Sequence, residues 1–250
     1  MARGLRSLVH HPIRASGVGR SGADALPTLS TPFTKKWDGE TVAAVPSDTS
    51  TPTDGGDGPA IVSVSADGHS RACRFSKSAN GSKGFIDLGE AYDLTAGFRL
   101  QILNDCSSGK HNHEFMFSSQ NTYYWDPNLA NRHCCWVRHW QGNNPDTLRF
   151  LSSIYGSVTD TGDVSLGGER TDNGFQYSRY EVNPSGNLTM YLINVNGAQL
   201  QTGTVGCGPI PQGLRYLGGA GASGWFDSDW AEIWLADISV AWPTPGVPQA

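Results

Sequence analysis

Long apolar runs are missing from this 250-residue sequence. The longest is a few residues, far below the roughly 20 that cross a bilayer, and the start of the chain lacks the apolar core of about 7 to 15 residues that marks a secretory signal. A chain made and kept in solution, or released by lysis, is therefore expected, with no membrane partner. Charge is also scarce, at 16% of residues, and no stretch keeps a helical period for more than two turns, which excludes a coiled coil. The five cysteines, Cys73, Cys106, Cys134, Cys135 and Cys207, form an odd set without a CxxC pair. They indicate neither a disulfide framework nor a zinc site, and are expected as reduced, buried small hydrophobes.

What is abundant is turn-forming residues, 31 glycines and 14 prolines, which suits many strands joined by tight connections. The net charge of −5 is unevenly spread. Residues 1–36 hold Arg3, Arg6, Arg14, Arg20, Lys35 and Lys36 against Asp24 alone, a charge of +5, while the rest of the chain carries 12 basic and 22 acidic residues, or −10. This is the pattern of a basic arm on an acidic body, and the arm's expected partner is an acidic surface. Between Met1 and Pro59 the apolar residues follow neither a period of 2 nor one of 3.6, and six prolines interrupt any helix. Residues 1–59 are accordingly read as an extended arm and linker, and residues 60–250 as the folded body.

From Ala60 onward, short runs of period 2 recur about every ten residues between Gly, Asn, Asp and Ser, the rhythm of an all-β sandwich. Phe98-Arg99-Leu100-Gln101-Ile102 alternates as a strand with one face in a core must. Leu188 to Ile193 is apolar on both faces apart from Thr189 and reads as an internal strand, with Asn183-Pro184-Ser185-Gly186 before it and Asn196-Gly197 after it as hairpin punctuation. In the run Trp230 to Trp242 the apolar parity changes near Asp237, where a bulge is expected.

Three segments carry a family resemblance. Arg71 to Phe75 followed by Gly84 to Gly89 and Tyr92 to Phe98, then Gly186 to Leu192 with Asn196-Gly197, then Leu217-Gly218-Gly219 followed by Trp230 to Asp237, together resemble the strands of concanavalin A-like lectin/glucanase domains of the laminin-G type. The likeness spans about Ala60 to Trp242. It implies a jelly-roll sandwich of two packed antiparallel sheets, and such domains with N-terminal arms occur in tailed-phage virion proteins. Function still has to be argued from residues.

An enzyme of this superfamily would show paired carboxylates in a Glu-x-Asp-x-x-Glu arrangement on one strand. Glu40, Glu90, Glu114, Glu169, Glu181 and Glu232 all lack an Asp two residues on, so no catalytic residue is assigned. There is no Gly-x-Ser-x-Gly elbow and no phosphate-binding loop. His111-Asn112-His113-Glu114 offers alternate ligands without a third, and a calcium site at Asp126 or at Asp160 to Asp163 has no fixed ligand set, so no metal and no cofactor is expected.

The remaining signal is a concentration of aromatic and polar side chains between Tyr123 and Trp140. Tyr124, Trp125, Asp126, Trp136 and Trp140 are the candidate carbohydrate contacts, since aromatic faces stack on sugar rings and nearby polar groups fix hydroxyls. Against this, Trp136 and Trp140 share a strand face and equally suit a core or a subunit contact. The expectation is a non-enzymatic virion protein of a tailed phage (capsid decoration, fibre or tail appendage). Its arm, through Arg3, Arg6, Arg14, Arg20, Lys35 and Lys36, would bind other virion proteins rather than nucleic acid. The chain would form a homo-oligomer and present its jelly roll outward, toward host glycans. A carbohydrate-binding module without a particle role is the alternative, and a divergent polysaccharide-degrading enzyme the third.

Overall fold

The computed structural model describes residues 25–46, 49–50, 58–75, 83–107, 112–121, 133–140, 146–154, 157–167, 174–220 and 228–245. Among these there is no helix. The strands are β1 (Phe33–Lys36), β2 (Thr49–Ser50), β3 (Ala60–Ala66), β4 (His69–Phe75), β5 (Lys83–Tyr92), β6 (Phe98–Asp105), β7 (Asn112–Ser118), β8 (His133–Trp140), β9 (Thr147–Ile154), β10 (Ser157–Asp160), β11 (Val164–Ser165), β12 (Phe175–Val182), β13 (Asn187–Asn194), β14 (Gln199–Gly206), β15 (Leu214–Ala220) and β16 (Ser228–Asp237). They form two antiparallel eight-stranded sheets. The first runs β14-β13-β12-β6-β16-β4-β3 with β1 also on β16, and the second runs β10-β9-β8-β7-β15-β5-β2 with β11 also on β9.

The expected jelly-roll sandwich is thus the fold, and alternation explains how it closes. In β6 the even residues Phe98, Leu100 and Ile102 enter the core between the sheets, where they meet Phe115, Phe117, Val137, Phe150, Tyr180 and Leu235. Edge-to-face aromatic pairs, Phe98 with Phe117 at 5.1 Å and Phe115 with Tyr180 at 4.8 Å, cross this core. The Asn-Gly signals make hairpins as expected. Asn194 accepts from Gly197 N–H and donates to Ala198, and Gly197 takes the φ of +86° that such a turn needs. The parity change in β16 is real but misplaced. The register shifts between Trp230 and Glu232, not near Asp237, where the strand simply ends.

The boundary at residue 60 needs correction. Residues 25–46 are not a coreless arm but a strap bound to the sandwich. β1 pairs with β16 from Phe33 opposite Leu235 to Lys36 opposite Glu232, and Trp37 and Leu29 are 0% and 2% exposed within the main core. Farther on, Ala43 N–H donates to Ile61 and Ile61 N–H to Ala44, which covers the outer edge of β3. β2 then joins the other sheet beside β5. The strap escapes a periodicity reading because it uses single anchors rather than an alternating face.

A polar clasp fixes the strap's middle. His69, on β4, is buried between two carboxylates, with Nδ1 2.7 Å from Asp38 Oδ2 and Nε2 3.1 Å from Glu232 Oε2. Asp38 Oδ1 also accepts from the Ser70 amide at 2.7 Å and the Arg71 amide at 3.3 Å. The Glu232 hydrogen bond raises the His69 pKa most; burial pulls it down, and Asp38 raises it again, leaving it above the ordinary histidine value. For Asp38, burial pushes up, but the Ser70 amide and His69 more than offset it and the carboxyl titrates below its usual range.

Candidate functional site

The second sheet carries its own cluster on the face turned away from the core. In β8 the alternation sends Cys135, Val137 and His139 inward, all fully buried, and Cys134, Trp136 and Arg138 outward. Ladder register then lines up one row across the sheet: Leu151 opposite Trp136, Trp136 opposite Met116, Met116 opposite Gly218, and Gly218 opposite Phe85. Gly218 is required there, because a Cβ would lie 2.5 Å from the Phe85 ring that crosses it. Phe85, Met116, Cys134, Trp136 and Leu151 pack together, with Val158 and Tyr216 against them, and Phe85 meets Tyr216 edge-on at 6.2 Å.

Three arginine–carboxylate pairs surround this apolar centre. Arg149 forks onto Asp160, Nε to Oδ1 at 2.9 Å and Nη2 to Oδ2 at 2.5 Å. Arg215 does the same to Asp87, both at 2.8 Å, and Arg138 Nη2 reaches Asp163 at 2.6 Å. The guanidinium carbons of Arg138 and Arg149 lie 5.5 and 5.8 Å from the Trp136 ring centre, and that of Arg215 lies 5.6 Å from the Tyr216 ring. Hydrogen bonds from Arg149 hold Asp160 below the usual carboxylate range against a desolvation cost, and Arg215 does so for Asp87. Chemically, the face offers fixed donors beside fixed acceptors on a rigid sheet, the complement of a hydroxyl that both donates and accepts.

Of the residues singled out in the sequence, Trp136 belongs to this face. At 7% exposure it is covered, so its ring is a support for the arginines rather than an open stacking platform. Trp140 pairs in the ladder with Asn112 and Thr147. Tyr124, Trp125 and Asp126 lie outside the described residues, as do Arg3, Arg6, Arg14 and Arg20. Lys35 and Lys36 stand in β1, with Lys35 Nζ 3.1 Å from Glu40 and 5.8 Å from the Trp37 ring centre, so both are fastened to the sandwich itself. Asp160 and Asp163, considered for calcium, are each engaged by arginine, and no group of three or more His, Cys, Asp or Glu among the described residues could hold a metal ion. Sequence reading missed Arg149, Arg215 and Asp87, and weighed Asp160 only as a calcium ligand. Their only local signal was arginine at outward strand positions.

No family model and no curated protein matches the chain. Solved structures do match, at low identity. The exoplasmic/lumenal domain of VIP36, in a form bound to calcium and mannose, is 10% identical with a TM-score of 0.53 over 85% of this chain and 92% of that one. Lectin II from Ulex europaeus is 11% identical, with a TM-score of 0.51 over 84% and 99%. A protein of unknown function from Shewanella oneidensis MR-1 is 8% identical, with a TM-score of 0.51 over 88% and 92%. The chain is therefore a lectin-type, concanavalin A-like jelly roll in fold.

Proposed function

We propose that the protein is a non-catalytic carbohydrate-binding module that takes a glycan on the outer face of its second sheet. The observation that carries this is the set of three arginine–carboxylate pairs, Arg138 with Asp163, Arg149 with Asp160 and Arg215 with Asp87, grouped around one aromatic centre. Glycan hydroxyls would bridge each guanidinium and its carboxylate, while Tyr216 and the arginine stems supply apolar contact. VIP36, which shares the fold, was solved with mannose bound. On this face Asp87 and Asp160 are each held below the usual carboxylate range by an arginine, so neither suits the role of a glycosidase's general acid.

A glycan array with the intact chain and the variants Arg149→Gln and Arg215→Gln tests this. Each variant removes a charged hydrogen-bond donor from the face, so each should bind its best glycan roughly tenfold or more weakly. No binding by the intact chain, or equal binding by the variants, defeats the reading. Release of shorter saccharides would revive the enzymatic alternative.

The charge split favours a second, compatible reading, a structural component of a tailed-phage virion that presents this face to host glycans. Because Lys35 and Lys36 sit in β1, the anchoring role narrows to Arg3, Arg6, Arg14 and Arg20. Deleting residues 1–24 should then abolish incorporation into particles while leaving the sandwich folded. Normal incorporation would defeat it.

A further inference from the structure

The three arginines of the second sheet's outer face are matched by three aspartates, and the match is built into the chain. Arg138 and Arg149 stand directly opposite each other on β8 and β9, where like charges repel. Asp163 meets the first at 2.6 Å, and Asp160 is forked by the second. The same ladder row continues to Glu114 and Lys83, one position of each sign. Asp160 and Asp87 are each held from a second side by the backbone. Oδ1 of Asp160 accepts from the Gly162 amide at 2.9 Å, and Oδ1 of Asp87 accepts from the Gly89 amide at 2.9 Å. A carboxylate fixed by both its arginine and a backbone N–H does not swing aside for an incoming anion. It also keeps its charge, because these contacts hold both carboxyls below the usual range. The aspartate side chains are still part exposed, at 33% for Asp160, 39% for Asp87 and 42% for Asp163, so whatever lies on the face meets their charge.

We propose that Asp87, Asp160 and Asp163 act as a charge filter, so that the face accepts uncharged glycans and rejects those bearing sulfate or uronic acid. Such a filter presupposes that the face takes a glycan, and it names the class. A hydroxyl bridges a guanidinium and its aspartate without separating them, since it accepts from one and donates to the other. A sulfate or carboxylate only accepts. It has to compete with the aspartate for the same arginine N–H groups while lying close to that aspartate's charge. Without the aspartates, the adjacent guanidiniums of Arg138 and Arg149 would make an anion site, because their planar forks suit oxyanions. The aspartates therefore decide which glycans are admitted.

The test uses matched pairs on a glycan array, a neutral oligosaccharide and the same chain bearing a sulfate or a uronic acid. These are probed with the intact protein, Asp160→Asn and Asp87→Asn. The intact protein should bind the anionic member of each pair roughly tenfold or more weakly than the neutral one. Each asparagine keeps the side-chain shape and one acceptor oxygen but not the charge, and should shift that ratio toward the anionic member by roughly tenfold. Melting temperatures check that both variants fold. If one is destabilised the other decides, since β10 and β5 lie toward opposite ends of the sheet. Anionic members bound as well as neutral ones by the intact protein, or a ratio unmoved in the folded variants, overturn the filter and leave the glycan reading standing. An intact protein that binds neither member defeats that reading and the filter with it.

Discussion

Trp37→Ala measures whether the strap is part of the folding unit. Trp37 is fully buried in the main core although only four residues, β1, precede it as regular structure. A buried tryptophan removes about 200 Å² from water, which at ~25 cal/mol per Å² is roughly 5 kcal/mol. Truncations of this kind cost about 3 to 5 kcal/mol once the walls relax. In a chain of this size each kcal/mol moves the melting temperature by about 2 to 4 °C, so a fall of roughly 6 to 20 °C is expected. Among the described residues the indole N–H has no hydrogen-bond partner. Trp37→Phe, which keeps most of the ring and removes that buried donor, should therefore cost much less, within about 1 kcal/mol. Urea melts followed by circular dichroism give both numbers. If Trp37→Ala costs under about 1 kcal/mol, the strap is a loose appendage and the corrected boundary is wrong.

Removing residues 1–46 should destabilise the sandwich severely, whereas removing 1–24 should leave its melting temperature within a few degrees; equal effects would contradict the packing of Leu29 and Trp37. The His69 clasp predicts a pH dependence. Its folded pKa is raised, so its stabilisation is full below about 6.5 and is lost as pH rises through the higher folded value. Asp38, whose pKa is lowered, contributes in the opposite sense and its share is lost only in acid. Melting temperatures of the wild type and His69→Gln should converge as pH rises above neutrality, and a constant gap would refute the charged clasp. Gly219→Ala should cost about 1 to 3 kcal/mol, since its Cβ would lie 2.7 Å from both Phe75 and Trp230, while Gly206→Ala, with nothing within 4 Å, should cost little. Equal costs for the two glycines would show that the core yields there.

The sequence alone specified the sandwich, because alternation is a local property: Phe98 to Ile102 and Leu188 to Ile193 must put every second side chain on one face, and Asn196-Gly197 must turn. It placed Trp136 on a strand for the same reason. It did not specify what that strand faces. Arg215 and Asp87 lie 128 residues apart and Arg138 and Asp163 lie 25 apart, and only ladder register brings them around the same aromatic centre. The strap shows the same division. Thr34-Lys35-Lys36 has no intrinsic claim to be a strand, and it becomes one because β16 offers an open edge and the core offers room for one indole. Tertiary structure decided these features because their free energy comes from partners distant in the chain, which no local pattern encodes.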